Sequence, residues 1–508
     1  MEMNAAGLAE LFLYSVSMWW LIIPAVFIGI LMGAIPGFAA HNTIIMLLPL
    51  TLAVDVDLAL TFMVALYCAS HLGGGIPAIL LNIPGTGGAA ATTLDGYPMS
   101  QQGNASRALA LSFVASISGG LITSAVTLFM LQYLSQVGFY VRSVEMVVVM
   151  LFGLALIAAI AARDMIKGLI AGALGLMLGA MGADHIYATP RGTFGILELF
   201  DGVPLVPALI GLFAISEALI MLESRTIAPA ASARAMPSWS QTFREILGAF
   251  RHWWLMLWTS LLGLVIGVLP GAGASIASFV AYQQARVFSR TPEAFGTGHE
   301  QGVVAPEAAN NGVTTGTLVP LLAIGVPGGS TAAVMMVVLQ FHGVPFGPRL
   351  FVQDPVLAYG VIMSMFVAYV FMLFTLFPLT RYLSRITVVA NYYMAPMIVA
   401  FTLVGAFVPR NFMADLTIAV AFGLLGYVAR KTGYNVAAIL IGVILGPLLE
   451  RSFLLSMRIS GGDWTVFFSS VIGNVLWGLL AVTLLASPTM NLLRNLRSAR
   501  NTQSKMEH

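Results

Sequence analysis

The stretch GVLPGAGAS, Gly267 to Ser275, breaks an apolar run that otherwise reads as one membrane helix. Proline has no amide donor and glycine adopts conformations that other residues avoid, so a Pro-Gly pair ends or bends a helix and frees backbone groups. In hydrocarbon each freed group costs several kcal/mol unless protein, water or a bound solute satisfies it. A second stretch, GAIPGFAAH from Gly33 to His41, poses the same problem. Such interruptions belong beside a cavity.

The chain around them has the composition of a membrane protein. Of its 508 residues, 59% are hydrophobic and 9% charged, with a mean hydropathy of +0.92, outside the range of soluble domains. Charge-free windows run from Leu11 to Val54, Ala108 to Val141, Leu255 to Ala285, Ala308 to Pro348 and Trp464 to Leu493. Several are long enough for two passes of about 20 residues. The fold class is an all-α polytopic membrane protein of about ten to fourteen membrane segments, re-entrant hairpins and broken helices included. Cys68 is the only cysteine, which excludes a disulfide scaffold or a thiolate metal site within one chain, and it reads as a small buried hydrophobe. A net charge of +2 gives no footing for nucleic acid. The N-terminus lacks the Lys or Arg of a secretory signal, so the first apolar run is expected to be retained.

Lys and Arg collect in cytoplasmic loops. None precedes Arg107, whereas Arg225, Arg234, Arg244 and Arg251 lie between the halves and Arg494, Arg497, Arg500 and Lys505 in the tail. The expected topology is therefore N-terminus outside, central loop and C-terminus on the cytoplasmic side. WWLIIPAVFIGILMGAIPG from Trp19 recurs as WWLMLWTSLLGLVIGVLPG from Trp253, placing Gly29 on Gly263, Gly33 on Gly267, Pro36 on Pro270 and Gly37 on Gly271 without a gap. GGGIPAILLNIPGT from Gly73 lies over GTLVPLLAIGVPGG from Gly316, matching Pro77 with Pro320 and Pro84 with Pro327. The first copy starts from the outside and the second from the inside, so two inverted structural repeats are expected, with a site where their broken helices meet. The expected divisions are a first repeat over 1–222, a cytoplasmic linker over 223–252, a second repeat over 253–493 and a cytoplasmic tail over 494–508.

Small polar residues flank the breaks, and no carboxylate crowds them. Inward helix ends offer amides to an anion, and freed carbonyls and hydroxyls suit Na⁺ better than a thiol-seeking metal. Expected substrate contacts are Pro36, Gly37, His41, Asn42, Asn82, Pro84, Gly85, Thr86, Gly87, Gly271, Gly273, Ser275, Asn311, Thr314, Pro327, Gly328, Gly329, Ser330 and Thr331. Expected cation contacts are Gly73, Asn82, Thr86, Asn310, Thr315, Gly325 and Ser330. No cofactor and no transition metal are expected. Gly29, Gly33, Gly263 and Gly267 read as close-packing positions. His41 and His71 lie in uncharged stretches, where an ionisable group is a functional candidate, and a neutral histidine bonded to a carbonyl is the equal alternative. Asp95 in LDGYP reads as a turn residue rather than a proton carrier. Trp19, Trp20, Trp253 and Trp254 fit the interfacial aromatic belt.

These motifs, GILMGAIPGFAAHNTIIMLLPLT, HLGGGIPAILLNIPGTGGAAATTLDGYP, GVLPGAGASIASF and EAANNGVTTGTLVPLLAIGVPGGSTAAV, resemble the large membrane subunit of the tripartite tricarboxylate transporters, the TctA family. The resemblance covers essentially the whole chain. It implies a secondary transporter of the bacterial inner membrane, working with a small TctB-type membrane subunit of about four spanning helices and a periplasmic TctC-type solute-binding protein. It also implies a carboxylate cargo and a Na⁺ or H⁺ gradient as the drive. The elements that match the family's glycine-rich segments are Pro36 and Gly37, Asn82 to Gly87, Pro270 to Gly273, and Gly325 to Thr331. No arginine lies inside the motifs, which favours a smaller or aromatic carboxylate over a fully charged tricarboxylate.

Two competing readings make distinct demands. A membrane-embedded enzyme requires His299, Glu300 and Glu307 to converge on one cavity. A passive anion channel requires a continuous water-filled pore.

Overall fold

In a computed structural model of the protein, the described residues are 5–35, 38–137, 140–161, 165–183, 189–223, 238–383 and 391–484. The helices begin with α1 (Ala5–Ser17), α2 (Trp19–Gly33), α3 (Ala40–Thr51), α4 (Val56–Leu81), α5 (Thr93–Gln101), α6 (Ala105–Val137), α7 (Ser143–Ala161) and α8 (Met165–Gly179). There follow α9 (Leu205–Leu209), α10 (Ser216–Glu223), α11 (Trp239–Ala249), α12 (Trp253–Val268), α13 (Gly273–Phe288) and α14 (Gln301–Gly316). Next come α15 (Leu318–Ile324), α16 (Ser330–Phe341), α17 (Pro348–Gln353), α18 (Pro355–Leu383), α19 (Asn391–Phe407), α20 (Met413–Thr432) and α21 (Val436–Ile459), followed by a further apolar helix, Val471–Leu484. A π-helical segment, Ile210–Ile215, joins α9 to α10. Among the described residues, β structure is confined to the two-residue strands Gly182–Ala183 and Pro190–Arg191.

Among the described residues, seven helices are long and apolar enough to cross a bilayer, or eight if α1 and α2, bent by 66°, form one span. The expected segment number is reached only by counting the shorter apolar helices, six of which run 10–17 residues. Trp19, Trp20, Trp253 and Trp254 are exposed, as belt residues are.

The chain divides into two compact units, one of Met1–Tyr140 and Pro204–Val428, the other of Val141–Val203 and Ala429–His508. This division cuts across the expected repeats, each of which supplies residues to both units. Within the second unit, α21 packs along α8 and α7. The first unit holds every helix break singled out above. Residues 224–237 of the expected linker and the tail over 494–508 lie outside the described residues. The rest of the linker includes α11, which Ser238 caps by accepting from the Gln241 amide and which packs on α6 and α18.

Two crossings organise the first unit. At α2 on α4, a Cβ on Gly33 would fall on the Ser70 carbonyl, one on Gly29 would lie 2.6 Å from Ala69 Cβ, and one on Gly73 would fall on the Ile30 carbonyl. At α12 on α14, Gly263 meets the Ala309 carbonyl, Gly312 the Ser260 carbonyl, and Gly267 and Gly316 meet each other. In the absence of side chains, backbones approach to direct contact, the packing expected where lipid supplies no hydrophobic force between helices. The two central partners are consequently enclosed: every residue from Met63 to Leu80 on α4 and from Gly302 to Gly316 on α14 is buried.

The repeat is visible in bond geometry. α4 ends at Asn82 in the left-handed conformation, φ 60°, and α15 ends at Gly325, φ 77°. Ile83 N donates to Pro77 O at 3.3 Å, as Val326 N does to Pro320 O at 3.3 Å. Gly85 N donates to Gly74 O at 3.1 Å, as Gly328 N does to Thr317 O at 3.2 Å. The residues paired by sequence thus make the same turn and the same bonds.

Replacing Gly33 by Val forces α2 off α4 and is expected to lower stability by about 1–3 kcal/mol. Gly478→Val, at a position with nothing within 4 Å of its Cβ site, serves as the neutral control. Thermal unfolding of the two purified variants in detergent checks the difference.

Candidate functional site

Three of the four glycine-rich elements touch one another. Gly271 N, in the break between α12 and α13, donates to Gly328 O at 3.0 Å. A Cβ on Gly87 would lie 2.6 Å from Ser275 Oγ, and one on Gly88 would meet Ala274 Cβ at 2.9 Å as well as Asn310 Oδ1. The fourth element is joined from its flanks: a Cβ on Gly85 would fall on the Gly33 carbonyl, and α3 packs against α4 and α16. Pro36 and Gly37 themselves lie outside the described residues.

Helices α3, α13 and α16 all start at these breaks, and none has a side chain capping its first turn. An uncapped helix start presents unsatisfied N–H groups and the positive end of the helix dipole. Near them lie buried polar atoms without a hydrogen-bond partner: both amide atoms of Asn42, and the hydroxyls of Thr43, Ser70, Thr86 and Ser112. Native proteins rarely leave such atoms unmatched unless water, an ion or a ligand completes them. Gly87 and Ser275 are exposed, Pro84, Gly271, Gly273, Gly329 and Ser330 half-buried, and Gly85, Thr86, Pro327, Gly328 and Thr331 buried. The elements therefore run from an accessible edge into the core.

The triple glycine of α4 lets three neighbours close in. Gly73 faces the α2 backbone, Gly74 faces Thr86 Oγ1 and Gly75 faces Ser112 Oγ and Glu307 Oε1. Between α4 and α14, His71 Nδ1–H donates to Asn310 Oδ1 at 2.7 Å, and Asn310 Nδ2 returns a bond to the His71 carbonyl at 3.3 Å. The Tyr67 and Thr317 hydroxyls are 3.0 Å apart. Glu307 is fully buried and accepts from Thr92 Oγ1 at 2.7 Å and Ser116 Oγ at 2.8 Å.

Other expected site residues point elsewhere. Asn311 Oδ1 accepts from the Tyr369 hydroxyl at 3.2 Å, which also lies 2.9 Å from Thr314 Oγ1. Thr315 pairs with Thr123 at 3.3 Å. These three turn toward α18 and α6. Gly73 belongs to the α2 crossing, Gly325 packs on Phe346, Asn82 is exposed, and His41 sits edge-on to Phe213 at 4.7 Å. Sequence reading does not single out Tyr67, Ser112, Ser116 or Tyr369, because a lone hydroxyl on an apolar helix carries no spacing signal. Glu307 does carry one, being an ionisable group amid apolar and small residues.

His299, Glu300 and Glu307 do not converge. His299 stacks on Phe295. Glu300 bonds Arg107 at 3.2 Å, His252 at 3.0 Å and Arg251. Burial opposes its ionisation, yet the His252 and Arg107 hydrogen bonds and the Arg107 and Arg251 charges hold its carboxyl well below the usual carboxylate range. Glu307 lies two turns along α14, about 10 Å away. Asp95 is a fully buried anchor rather than a turn residue: Oδ1 accepts from Gly296, Gly298 and His299 amides at 2.9, 2.8 and 2.7 Å, and Oδ2 from Tyr282 at 2.8 Å.

Long apolar helices folded around interrupted ones, with polar groups enclosed at the interruptions, define a multi-pass membrane protein. Residues 19–441 match the family described as "Tripartite tricarboxylate transporter TctA family". The chain belongs to this family, the membrane component of tripartite tricarboxylate transporters. It is 31% identical over 478 residues, 94% of this chain and 93% of the relative, to "Uncharacterized 52.8 kDa protein in TAR-I ttuC' 3'region" of Agrobacterium vitis. A second protein of that organism, "Uncharacterized protein in TAR-II ttuC' 3'region", is 34% identical over 239 residues, 47% of this chain and 97% of the relative. No solved structure matches the chain.

Asp95→Ala strands three loop amides and is expected to cost about 1–3 kcal/mol. Faster proteolytic cleavage at 296–299 than in the parent protein checks this.

Proposed function

We propose that the protein is a secondary active transporter of the bacterial inner membrane that imports an organic carboxylate coupled to Na⁺ or H⁺. A TctC-type periplasmic binding protein delivers the carboxylate and a TctB-type subunit completes the membrane complex, with the N-terminus periplasmic and the C-terminus cytoplasmic. The observation that carries the reading is the meeting of uncapped starts of α3, α13 and α16 with unmatched buried amide and hydroxyl groups. Amide dipoles there hold a carboxylate without a basic side chain. No lysine or arginine occurs in the four elements, which suits a dicarboxylate or an aromatic carboxylate better than a tricarboxylate.

Access alternates, in an elevator-like manner, as the body bearing the breaks moves, and the repeats run in opposite directions through the bilayer, so that one set of contacts serves either side. Coupling follows if the cation completes the anion site, since each ligand then raises the other's affinity by the same factor.

Uptake into proteoliposomes holding the complete complex, under imposed Na⁺ or pH gradients and with succinate, citrate and benzoate as probes, tests the reading. Gly85→Leu and Gly328→Leu are expected to abolish uptake while the protein still inserts, and His299→Ala to be tolerated. Loss of activity in His299→Ala alone, with both glycine variants active, points to an enzyme instead.

A further inference from the structure

Four carboxylates are buried among the described residues: Asp95, Glu145, Glu307 and Asp415. Asp95 accepts three backbone amides, Glu145 accepts the Arg142 amide and Asp415 is paired with Arg410. The Glu307 carboxylate receives neutral side-chain groups only. A charge enclosed in low dielectric without a strong partner is untenable, so such a group takes up a cation or a proton. Beside it Ser112, fully buried, has an unmatched Oγ, and a Cβ on Gly75 would lie 2.6 Å from that atom and 2.8 Å from Glu307 Oε1. The two oxygens lie against the same side of Gly75.

We infer that Glu307 carries the coupling cation, binding one positive charge, H⁺ or Na⁺, with the hydroxyl oxygens of Thr92, Ser112 and Ser116 around it. This rests on the carboxylate-symport reading. The position fits the task, because Thr92 closes the segment that begins with the first broken loop, and Gly88 of that segment abuts Asn310, one turn beyond Glu307. Loading Glu307 therefore fixes the loop that forms part of the anion site. The neighbouring ionisable groups are committed elsewhere: His71 of α4 to Asn310, Asp95 of α5 and Tyr282 of α13 to each other, and Arg107 of α6 to Glu300. Cys68 and Tyr67 of α4 lie a turn or more from Gly75, the α4 residue that faces Glu307.

The complete complex in proteoliposomes supplies the test, with labelled succinate, citrate and benzoate as cargo. Glu307→Gln, a fixed mimic of the neutral acid, is expected to lower gradient-driven accumulation by about tenfold or more while carboxylate exchange persists. Ser112→Ala removes one small hydroxyl and no charge, and it is expected to weaken cation dependence by about fivefold. That change appears in half-saturating Na⁺ if Na⁺ is bound and in the pH profile if H⁺ is bound. Parental accumulation by Glu307→Gln, or parental cation dependence in Ser112→Ala, overturns the assignment and leaves carboxylate transport standing. A parent protein that carries none of the three under either gradient overturns both.

Discussion

Backbone groups that leave a helix inside a bilayer have to be bonded by protein, by water or by cargo, and this constraint governs the core. The three breaks within the described residues are answered by backbone: Gly85 by Gly74, Gly328 by Thr317, and Gly271 by Gly328. Backbone can reach backbone only where side chains are missing. The glycines of α2, α4, α12 and α14 therefore do two jobs, interrupting helices and letting uninterrupted ones close around the interruptions.

The same constraint explains where polarity sits. α4 and α14, enclosed from Met63 to Leu80 and from Gly302 to Gly316, carry most of the polar groups of the cluster, and many of these bond across the repeat boundary: His71 to Asn310, Tyr67 to Thr317, and Thr92 to Glu307. Asp95 reaches across as well, holding the loop before α14. Within the first unit the two repeats interleave, while each gives a further segment to the second unit, so compact units and sequence repeats divide the chain differently.

The helical membrane class was legible from composition and charge-free windows, and the breaks and their pairing from Pro-Gly spacing, because proline and glycine act on the backbone wherever the tertiary structure places them. The close-packing role of Gly33 and Gly267 was legible for the same reason. Which face of α14 meets the loops was not, since Asn310 and Asn311 are adjacent in sequence yet bond different helices. Asp95 shows the same limit: its local sequence reads as a turn, and only folding brings four donors to it from α13 and from the loop that follows. The hydroxyls around Glu307 come from the turn before α5 and from α6, a convergence that no single segment announces.

The cross-repeat bonding has a consequence for how the protein is made. Translation delivers the first half to the membrane while the partners of His71, Tyr67, Thr92 and Asp95 are still unsynthesised. Those four side chains have to be sheltered by the insertion apparatus or by interfacial water until α13, α14 and the turn into α15 arrive. Biogenesis thus reaches a closed core only well past the midpoint of the polypeptide, and chains truncated before that point are natural substrates for membrane quality control.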